Sequence, residues 1–392
     1  MSLVTLNDVC ELIVDCPHST AKDEGIGFPL VRTPNIGKGR LVYSGMHRVC
    51  REVYDKRNQR AIPQKDDLIF AREATAGNVA IIRQGEEVCL GQRTVLIRPN
   101  KEFVSPMFLT YLLLAPLQQY NLLSSANGAT VAHVNLPTIR NLKIDLLPLE
   151  IQNRIASILS RYDDLIENYQ HQIQLLEEAA QRLYKEWFVD LHFPGYENTN
   201  IVDGVPEGWE KKSVGELGEY LNGFAFKPSD WSKEGKPIIK IKEMGGGVSN
   251  DTPRNNGERV PEKYLIKAGD LLFSWSATLM VIVWSGEDGW LNQHLFKVSP
   301  AKNICREFLL QSLQNTIKEF SNLTTGSTMK HIQRNKLEQV FVNVPPTILM
   351  SKYETISEKI RQQILNISSQ IRLLTEARDR LLPKLMSGEI TV

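Results

Sequence analysis

Cysteine is scarce in this sequence, and its five copies form no recognisable pattern. Cys10, Cys16, Cys50, Cys89 and Cys305 are widely spaced and include no CxxC pair. A chain of this length that relied on disulfides or structural zinc would show closely spaced cysteines. We therefore expect neither a disulfide framework nor a metal site. Isolated cysteines are typical of reduced thiols in a cytoplasmic protein, and we expect that location.

Long apolar runs are also missing. The best candidate, residues 109–117, contains Pro116 and is far shorter than the roughly 20 residues of a transmembrane helix. The first 14 residues lack a basic start and carry Asp8 and Glu11, which is not typical of a signal peptide. The sequence therefore predicts no association with a membrane.

Neither sign of charge is in marked excess. Lys and Arg together number 46 and Asp and Glu 45, so the formal net charge is +1. This balance does not indicate nucleic-acid binding by itself. It does not exclude it either, because only the face opposite the phosphates must be basic.

Catalytic signatures are absent as well. The sequence contains no glycine-rich cofactor loop, no NPPY-like motif and no HExxH. Gly37-Lys38-Gly39 is not a P-loop, because no glycine precedes it at the required distance. His133 and His331 stand at equivalent positions but have no evident partner for base catalysis, so a structural histidine or a DNA contact is the better interpretation. We predict no catalytic residues.

What the sequence does contain is a long internal repeat. Residues 120–192 align without a gap with residues 318–390, at an offset of 198 positions. Identical pairs recur along both copies, among them Gly128/Gly326, Thr130/Thr328, His133/His331, Pro148/Pro346, Ile173/Ile371, Leu176/Leu374 and Arg182/Arg380. A period of about half the chain is too long for a solenoid. It predicts two similar domains related by a pseudo-two-fold axis, which suits a partner with two related halves.

The second part of each copy has the apolar spacing of a coiled coil. Apolar residues alternate in steps of four and three, as in a heptad seam, from Pro148 to Trp187 and again after Pro346. We predict two long helices that pair antiparallel with each other. At about 1.5 Å per residue the first would span roughly 55–60 Å. Its predicted seam residues are Ile155, Leu159, Ile166, Ile173, Leu176 and Leu183, and those of the second helix are Ile360, Ile364, Ile367, Ile371, Leu374 and Leu381.

Two breaks modify this pattern. Ser357 and Arg378 occupy seam positions of the second helix. Pro383 lies near the end of that helix and predicts a kink or a stop there, because proline removes a backbone donor. The alternative interpretation of this apolar heptad spacing is ordinary packing in a helical bundle.

The rest of each half reads as a mixed α and β domain. Short apolar runs bounded by Gly, Pro and Asp predict an irregular sheet, with a helix after the strands. The predicted strands are 29–32, 67–70, 79–82 and 94–97 in the first half, and 237–241, 270–273, 280–283 and 295–298 in the second. The predicted helices lie at about 105–122 and 304–320.

Several local motifs, in this order, resemble the specificity subunit of type I restriction–modification systems. They are Asp15-Cys16-Pro17-His18-Ser19-Thr20, Phe28 to Arg32, Leu146 to Gln152, Leu221 to Lys227, Pro237 to Ile241, Gly269 to Trp275, Leu291 to His294 and Leu382 to Ile390. Each motif is weak alone, but their order together with the repeat covers nearly the whole chain.

The resemblance implies an α+β fold with two globular target-recognition domains joined by two long antiparallel coiled-coil helices. The expected domains are a first target-recognition domain at 1–147, a helical spacer at 148–192, a linker at 193–208, a second target-recognition domain at 209–344 and a second spacer at 345–392. Each domain would read one part of a split, asymmetric double-stranded DNA target. The helices would set the spacing and dock two methylation subunits, which would carry S-adenosylmethionine, and motor-nuclease subunits would join. The chain itself would be non-catalytic.

Base reading and phosphate neutralisation need cationic and amide side chains on loops. We predict Arg32, Asn35, Lys38, Arg40, Arg72 and Arg93 as DNA-binding candidates in the first half, and Lys227, Lys240, Lys242, Arg254 and His294 in the second. The repeated junction loops add Thr130 and Thr328. For any one of the cations, an ordinary solvated surface charge is the alternative.

Two other functions stay open at this point. A coiled-coil scaffold that binds only proteins would explain the helices, but it has little reason to carry two diversified globular domains. A self-sufficient methyltransferase or nuclease is disfavoured by the missing cofactor motif. A DNA-reading subunit is the function that the sequence favours.

Overall fold

The computed structural model describes residues 2–124, 133–249, 251–323 and 334–392. The chain divides into two compact units. Unit 1 comprises residues 1–166 with 373–392, and unit 2 comprises residues 167–372. Each long helix therefore begins in one unit and ends in the other, and each unit combines one globular part with segments of both helices.

Unit 1 alternates short strands with helices. Its strands are β1 (Ser2–Thr5), β2 (Cys10–Asp15), β3 (Phe28–Val31), β4 (His47–Val49), β5 (Leu68–Ala71), β6 (Val79–Ile81), β7 (Cys89–Leu90), β8 (Thr94–Pro99) and β9 (Lys143–Leu146). Its helices are α1 (Arg51–Arg57), α2 (Pro106–Leu114), α3 (Pro116–Ser124), α4 (Leu136–Arg140) and the first part of α5 (Leu149–Tyr184).

The main sheet of unit 1 has the strand order β2-β8-β5-β6 and is antiparallel throughout. Both of its faces are covered, which explains the continuous apolar run of β5. Leu68 and Phe70 pack with α2 and the start of α5, whereas Ile69 and Ala71 pack against the smaller sheet β4-β3-β7. Alternate residues of β5 are therefore buried in two different hydrophobic cores, one on each face of the sheet.

Unit 2 is built in the same order. After α5 come β10 (Ile201–Val202), β11 (Val205–Pro206), β12 (Glu210–Ser213), β13 (Gly218–Asn222), β14 (Lys236–Ile239), β15 (Arg254–Asn255), β16 (Leu265–Ile266), β17 (Leu271–Ser274), β18 (Met280–Val283), β19 (Gly289–Leu291), β20 (Leu295–Pro300) and β21 (Phe341–Val344). The helices are α6 (Ile241–Gly246), α7 (Arg306–Leu323) and α8 (Thr347–Ser387), which continues into unit 1.

The sheets of unit 2 repeat those of unit 1. The main sheet is β13-β20-β17-β18, and the smaller one is β15-β14-β19-β16, with a parallel pairing of β14 and β19 that matches that of β3 and β7. Leu271 and Phe273 face the helices, and Leu272 faces the smaller sheet. The repeat therefore extends to the globular parts, where the sequence similarity is low, because the alternation of apolar residues is retained.

Both long helices are present. α5 covers 36 residues and is continued by a π-helical turn at Lys185–Val189, and α8 covers 41 residues. In unit 1 the start of α5 packs with the end of α8, since Ile155 and Leu159 share a core with Leu385. In unit 2 the end of α5 packs with the start of α8, where the Phe188 and Tyr353 rings meet at 4.8 Å. In each unit the two helices therefore run antiparallel.

Of the kink or stop predicted at Pro383, the stop does not occur, because α8 continues to Ser387. The lost donor at Pro383 leaves only the carbonyl four residues earlier without its usual bond. Leu385 is buried, and Leu381, Leu382 and Met386 pack against the same core. Burial of these side chains holds the last turn in helical form.

The expected linker at 193–208 is partly ordered. A 3-10 turn at Tyr196–Asn198 precedes the hairpin of β10 and β11, and Phe193 and Trp209 pack at 5.0 Å. None of the helices that the structure describes is both long and apolar enough to span a bilayer.

Candidate nucleic-acid interface

One edge of the main sheet in unit 1 gathers polar side chains. β2 ends at Asp15, β5 is followed by Arg72 and Glu73, and Arg93 directly precedes β8. Because β8 is antiparallel to both β2 and β5, these three chain ends meet at the same edge. His133 joins them. We call Asp15, Arg72, Glu73, Arg93 and His133 the tip cluster of unit 1.

Arg72 is the centre of this cluster. Its Nη1 lies 2.6 Å from Asp15 Oδ2, and its Nε donates to the Val134 carbonyl at 2.9 Å. Its Nη2 lies 2.8 Å from His133 Nε2. The Arg72 side chain is 9% exposed. This guanidinium thus ties the strand ends to the segment that follows residues 125–132.

Arg93 is the outward cation of the same cluster. Its side chain is 56% exposed and forms an ion pair with Glu73. Glu73 also lies 2.5 Å from His133 Nδ1, so one carboxylate holds both groups. Arg93 has a backbone φ of +65°, a conformation that few non-glycine residues adopt and that is often found at functional sites. His18, 3.3 Å from Asp15, lies at the rim and is largely exposed.

Unit 2 has a cluster at the corresponding edge. Asn222 ends β13, Trp275 follows β17, and Gln293 and His294 precede β20. Trp275 Nε1 donates to Asn222 Oδ1 at 3.1 Å, and the rings of Trp275 and His294 are 5.8 Å apart. Gln293 Nε2 lies 3.4 Å from His294 Nε2. We call these four residues the tip cluster of unit 2.

The backbone shows that the two clusters occupy the same place in the fold. The Arg72 amide donates to the Arg93 carbonyl at 3.0 Å, and the Trp275 amide donates to the His294 carbonyl at 3.4 Å. At these matched positions unit 1 carries charged groups and unit 2 carries an indole, an imidazole and amides. One scaffold therefore presents two chemically different surfaces.

The other candidates of unit 1 differ in their accessibility. Asn35 is buried, where its Nδ2 donates to the Val42 carbonyl at 3.0 Å, and Arg32 Nη2 donates to the Gly45 carbonyl at 3.0 Å. Arg40 lies 2.6 Å from Asp164 of α5. Lys38 is exposed. The intervening Gly39, with φ +90°, is anchored to β6 by a bond from its amide to the Val79 carbonyl at 2.7 Å, so this loop is part of the sheet edge.

The candidates of unit 2 lie mostly at the surface. Lys227 is exposed, and Lys240 Nζ lies 4.5 Å from the centre of the Trp231 ring. Lys242 forms an ion pair with Asp251 at 2.6 Å, which raises the pKa of this lysine above its ordinary value. Arg254 bonds to the Gly235 carbonyl at 2.9 Å and lies 3.1 Å from Glu287.

Two further candidates, Thr130 and Thr328, and the histidine at 331 lie outside the described residues. Their proposed roles stay predictions. Within the residues that the structure does describe, no group of three or more His, Cys, Asp or Glu side chains could hold a metal ion.

A family comparison identifies the fold. The model of the type I restriction modification DNA specificity domain matches residues 1–178 and again residues 206–366. The chain belongs to this specificity family. Each match covers most of one unit, and each unit supplies one tip cluster.

Individual relatives agree with this assignment. The chain is 24% identical over 412 residues to the MjaIX specificity subunit of Methanocaldococcus jannaschii, covering 99% of this chain and 93% of that relative. It is 24% identical over 402 residues to the HindI specificity subunit of Haemophilus influenzae, with 83% and 87% covered. The solved S subunit from M. genitalium is similar in fold, with a TM-score of 0.53, 15% identity and coverage of 98% and 95%.

Several residues of the two tip clusters were not among the DNA-binding candidates predicted from the sequence. Asp15, Asn222 and Trp275 lie in the motifs that carry the resemblance, and Glu73 follows directly on Arg72. They were not selected because cations were favoured as DNA contacts. For Glu73 and Trp275 the available signal was the predicted strand that ends two or three residues earlier, at 70 and at 273, since chain ends of neighbouring strands converge at one sheet edge.

The predicted seam residues lie on the side of each long helix that is shielded from solvent. Ile155, Leu159, Ile166 and Ile367 are buried. The other predicted positions are half-buried: Ile173, Leu176, Leu183, Ile360, Ile364, Ile371, Leu374 and Leu381.

The seam break at Arg378 has a direct explanation. Its Nη1 lies 2.5 Å from Asp163 Oδ1 on α5, and the Tyr111 hydroxyl donates to Asp163 Oδ2 at 2.5 Å. Burial and this neighbouring carboxylate raise the pKa of Tyr111.

Proposed function

We propose that the chain reads two different halves of one bipartite DNA target, one with each tip cluster. The observation that carries this proposal is the matched position and different chemistry of the two clusters. A scaffold that only bound proteins twice would have no need to place Arg72 and Arg93 where the other unit has Trp275 and His294.

The chemistry of each tip suits base reading. An arginine can donate two parallel bonds to the guanine edge, and exposed Arg93 is the group of unit 1 that is free to do so after leaving Glu73. In unit 2 the Gln293 amide can pair with adenine, and His294 can bond to a base or a phosphate. Exposed lysines such as Lys38 and Lys227 suit phosphate contact, which positions the duplex without selecting sequence.

The helices complete the proposed role. α5 is an uninterrupted connection from one unit to the next, and α8 returns. We propose that their length sets the spacer between the half-sites and that their exposed sides dock two methylation subunits. S-adenosylmethionine would be bound by those subunits, motor-nuclease subunits would join for cleavage, and this chain would supply recognition without catalysis.

Mapping of methylated bases tests this proposal. In cells that carry this chain with its methylation subunit, the expected methylated motif has two unlike parts separated by a gap of constant length and arbitrary sequence. Deletion of this chain is the control, and it should abolish the motif. A single continuous motif, or an unchanged pattern after deletion, would contradict the proposal.

A further inference from the structure

Unit 2 contains a cavity between its helices and its main sheet that is separate from the tip cluster. Its volume is about 490 Å³. Apolar walls come mainly from β18 and the two long helices, and polar groups come from α7 and from the two long helices. The residues that carry the argument are Ala180, Val281, Glu307, Gln314, Arg361 and Ile364.

Unit 1 has a smaller cavity, of about 200 Å³, at the corresponding place. The repeat offset of 198 positions pairs Arg378 with Ala180 and Asp163 with Arg361, and all four residues line their respective cavities. In unit 1 the Arg378 side chain extends across the seam to Asp163. In unit 2 the methyl group of Ala180 leaves that space open.

Two buried acceptors line the open cavity. Gln314 Oε1 and Glu307 Oε1 are shielded from solvent and have no hydrogen-bond donor among the described residues. Glu307 Oε1 lies 2.7 Å from Arg361 Nε without the alignment of a hydrogen bond, and the Glu307 side chain is 9% exposed. A buried acceptor without a donor, such as Gln314 Oε1, is costly, and the one close partner of Glu307 Oε1 is the Arg361 ion pair, so a group with several N–H donors would stabilise this pair of acceptors.

The charged side chains that line the cavity also favour a cationic ligand with N–H donors. Glu177 and Glu307 are acidic, and Arg361 is the single basic residue of the lining. In unit 1 the corresponding space contains a guanidinium on an apolar stem. A guanidinium has five N–H donors in a planar fork and is more weakly hydrated than an ammonium, so it suits this site better than a lysine-like group.

We propose that the cavity of unit 2 is a binding site for a guanidinium cation with a short apolar stem. The guanidinium bonds to Glu307 and Gln314, and the stem packs against Ala180 and Ile364. Its source is either a free small molecule or an arginine of a protein that docks on the helices.

Calorimetry with butylguanidinium and the full chain tests the site. Butylurea is the neutral probe of similar planar shape, in which a carbonyl replaces one NH2 group, so that it has three N–H donors and no charge. The expected result is saturable binding of the cation and at least about 10-fold weaker binding of the urea, because hydrogen bonds between charged groups are roughly twice as strong as neutral ones.

Variants locate the binding in the cavity. Ala180→Leu fills the space and Gln314→Leu removes one acceptor, and each should weaken cation binding at least about 10-fold while the thermal unfolding midpoint stays near that of the wild type. Ala179→Leu, on the exposed neighbouring position of α5, is the control and should bind as the wild type does. No binding to the wild type, or equal binding by all three variants, would overturn the proposal.

Assembly with the methylation subunit distinguishes the two sources. If Ala180→Leu weakens assembly and butylguanidinium competes with it, the occupant is an arginine of that subunit. If both leave assembly unchanged while the cation still binds, the occupant is a free small molecule. The calorimetric test uses this chain alone, so its outcome is independent of the DNA-reading proposal.

Discussion

At the scale of single residues, burial separates two arginines that look alike in the sequence. Arg72 is 9% exposed and bonds to Asp15 and Val134, whereas Arg93 is 56% exposed and bonds to one carboxylate at the surface. Arg72 therefore holds the strand ends together, and Arg93 is the group that we propose exchanges its carboxylate partner for DNA.

This difference predicts distinct effects of two substitutions. Arg93→Ala should weaken discrimination of the first half-site by about 1–3 kcal/mol and leave stability nearly unchanged. Arg72→Ala should cost about 3–5 kcal/mol of stability, because it leaves Asp15 without its buried partner. Denaturant unfolding and DNA-binding titrations of the assembled complex measure the two effects.

The matched control for this pair is His294→Ala, which should affect the second half-site alone. Equal loss at both half-sites with Arg93→Ala would show that this side chain contacts phosphate or supports the fold and does not read a base.

Glu307 makes the stability of unit 2 depend on pH. Burial raises its pKa from 4.5 to about 7, against the opposing effects of Arg361 and Arg306, while Glu358 raises it further. Because the pKa is raised in the folded state, neutral Glu307 contributes its full stabilisation at low pH. This stabilisation is lost as the pH rises through 7.

Glu307→Gln, which stays neutral, should therefore change the pH profile of stability. Between pH 5 and pH 8 the wild type should lose on the order of 2 kcal/mol relative to Glu307→Gln, as measured by denaturant unfolding at each pH. Glu358→Gln is the control on the exposed side of the same ion-pair group. Parallel profiles for wild type and Glu307→Gln would mean that the carboxylate is ionised throughout this range.

At the scale of elements, the two long helices show how packing overrides a local signal. Pro383 predicts a kink or a stop, yet α8 does not stop there, because its last turn is buried in the core of unit 1. The two polar seam positions are also explained by contacts within one unit. Ser357 donates to the Tyr353 carbonyl at 2.9 Å, and Arg378 pairs with Asp163.

Helix length is the property that the proposed spacer depends on. One heptad inserted into each helix, after Gln170 and after Gln370, keeps the seam in phase and adds about 10 Å at roughly 1.5 Å per residue. The expected result is a methylated motif whose gap is about three base pairs longer, at about 34 Å per ten base pairs, with both half-sites unchanged.

Inserting the same seven residues after Glu197, in the exposed segment that follows α5, is the control and should leave the gap unaltered. An unaltered gap after insertion into the helices would show that some other feature sets the spacing.

At the scale of the whole molecule, the chain is one fold used twice with two different tips. The sheet order and strand directions recur between the units, while the residues at the sheet edge diverge. The repeat visible in the sequence covers the junction and helix, and the structure extends it over the globular parts as well.

The sequence by itself determined the two long helices and eight of the strands of this protein, since periodicity is a local property. The heptad pattern placed the two helices, and apolar runs placed the eight predicted strands near their observed bounds. The order of motifs was sufficient to indicate the specificity family.

Only the tertiary structure decided which side chains act together. Asp15, Arg72, Arg93 and His133 are distant in sequence and meet because antiparallel strands bring their ends to one edge. Likewise, Ala180 leaves a cavity because the residues around it come from four other elements, α6, α7, α8 and β18. Burial and pairing depend on these non-local contacts, which no pattern within a single segment contains.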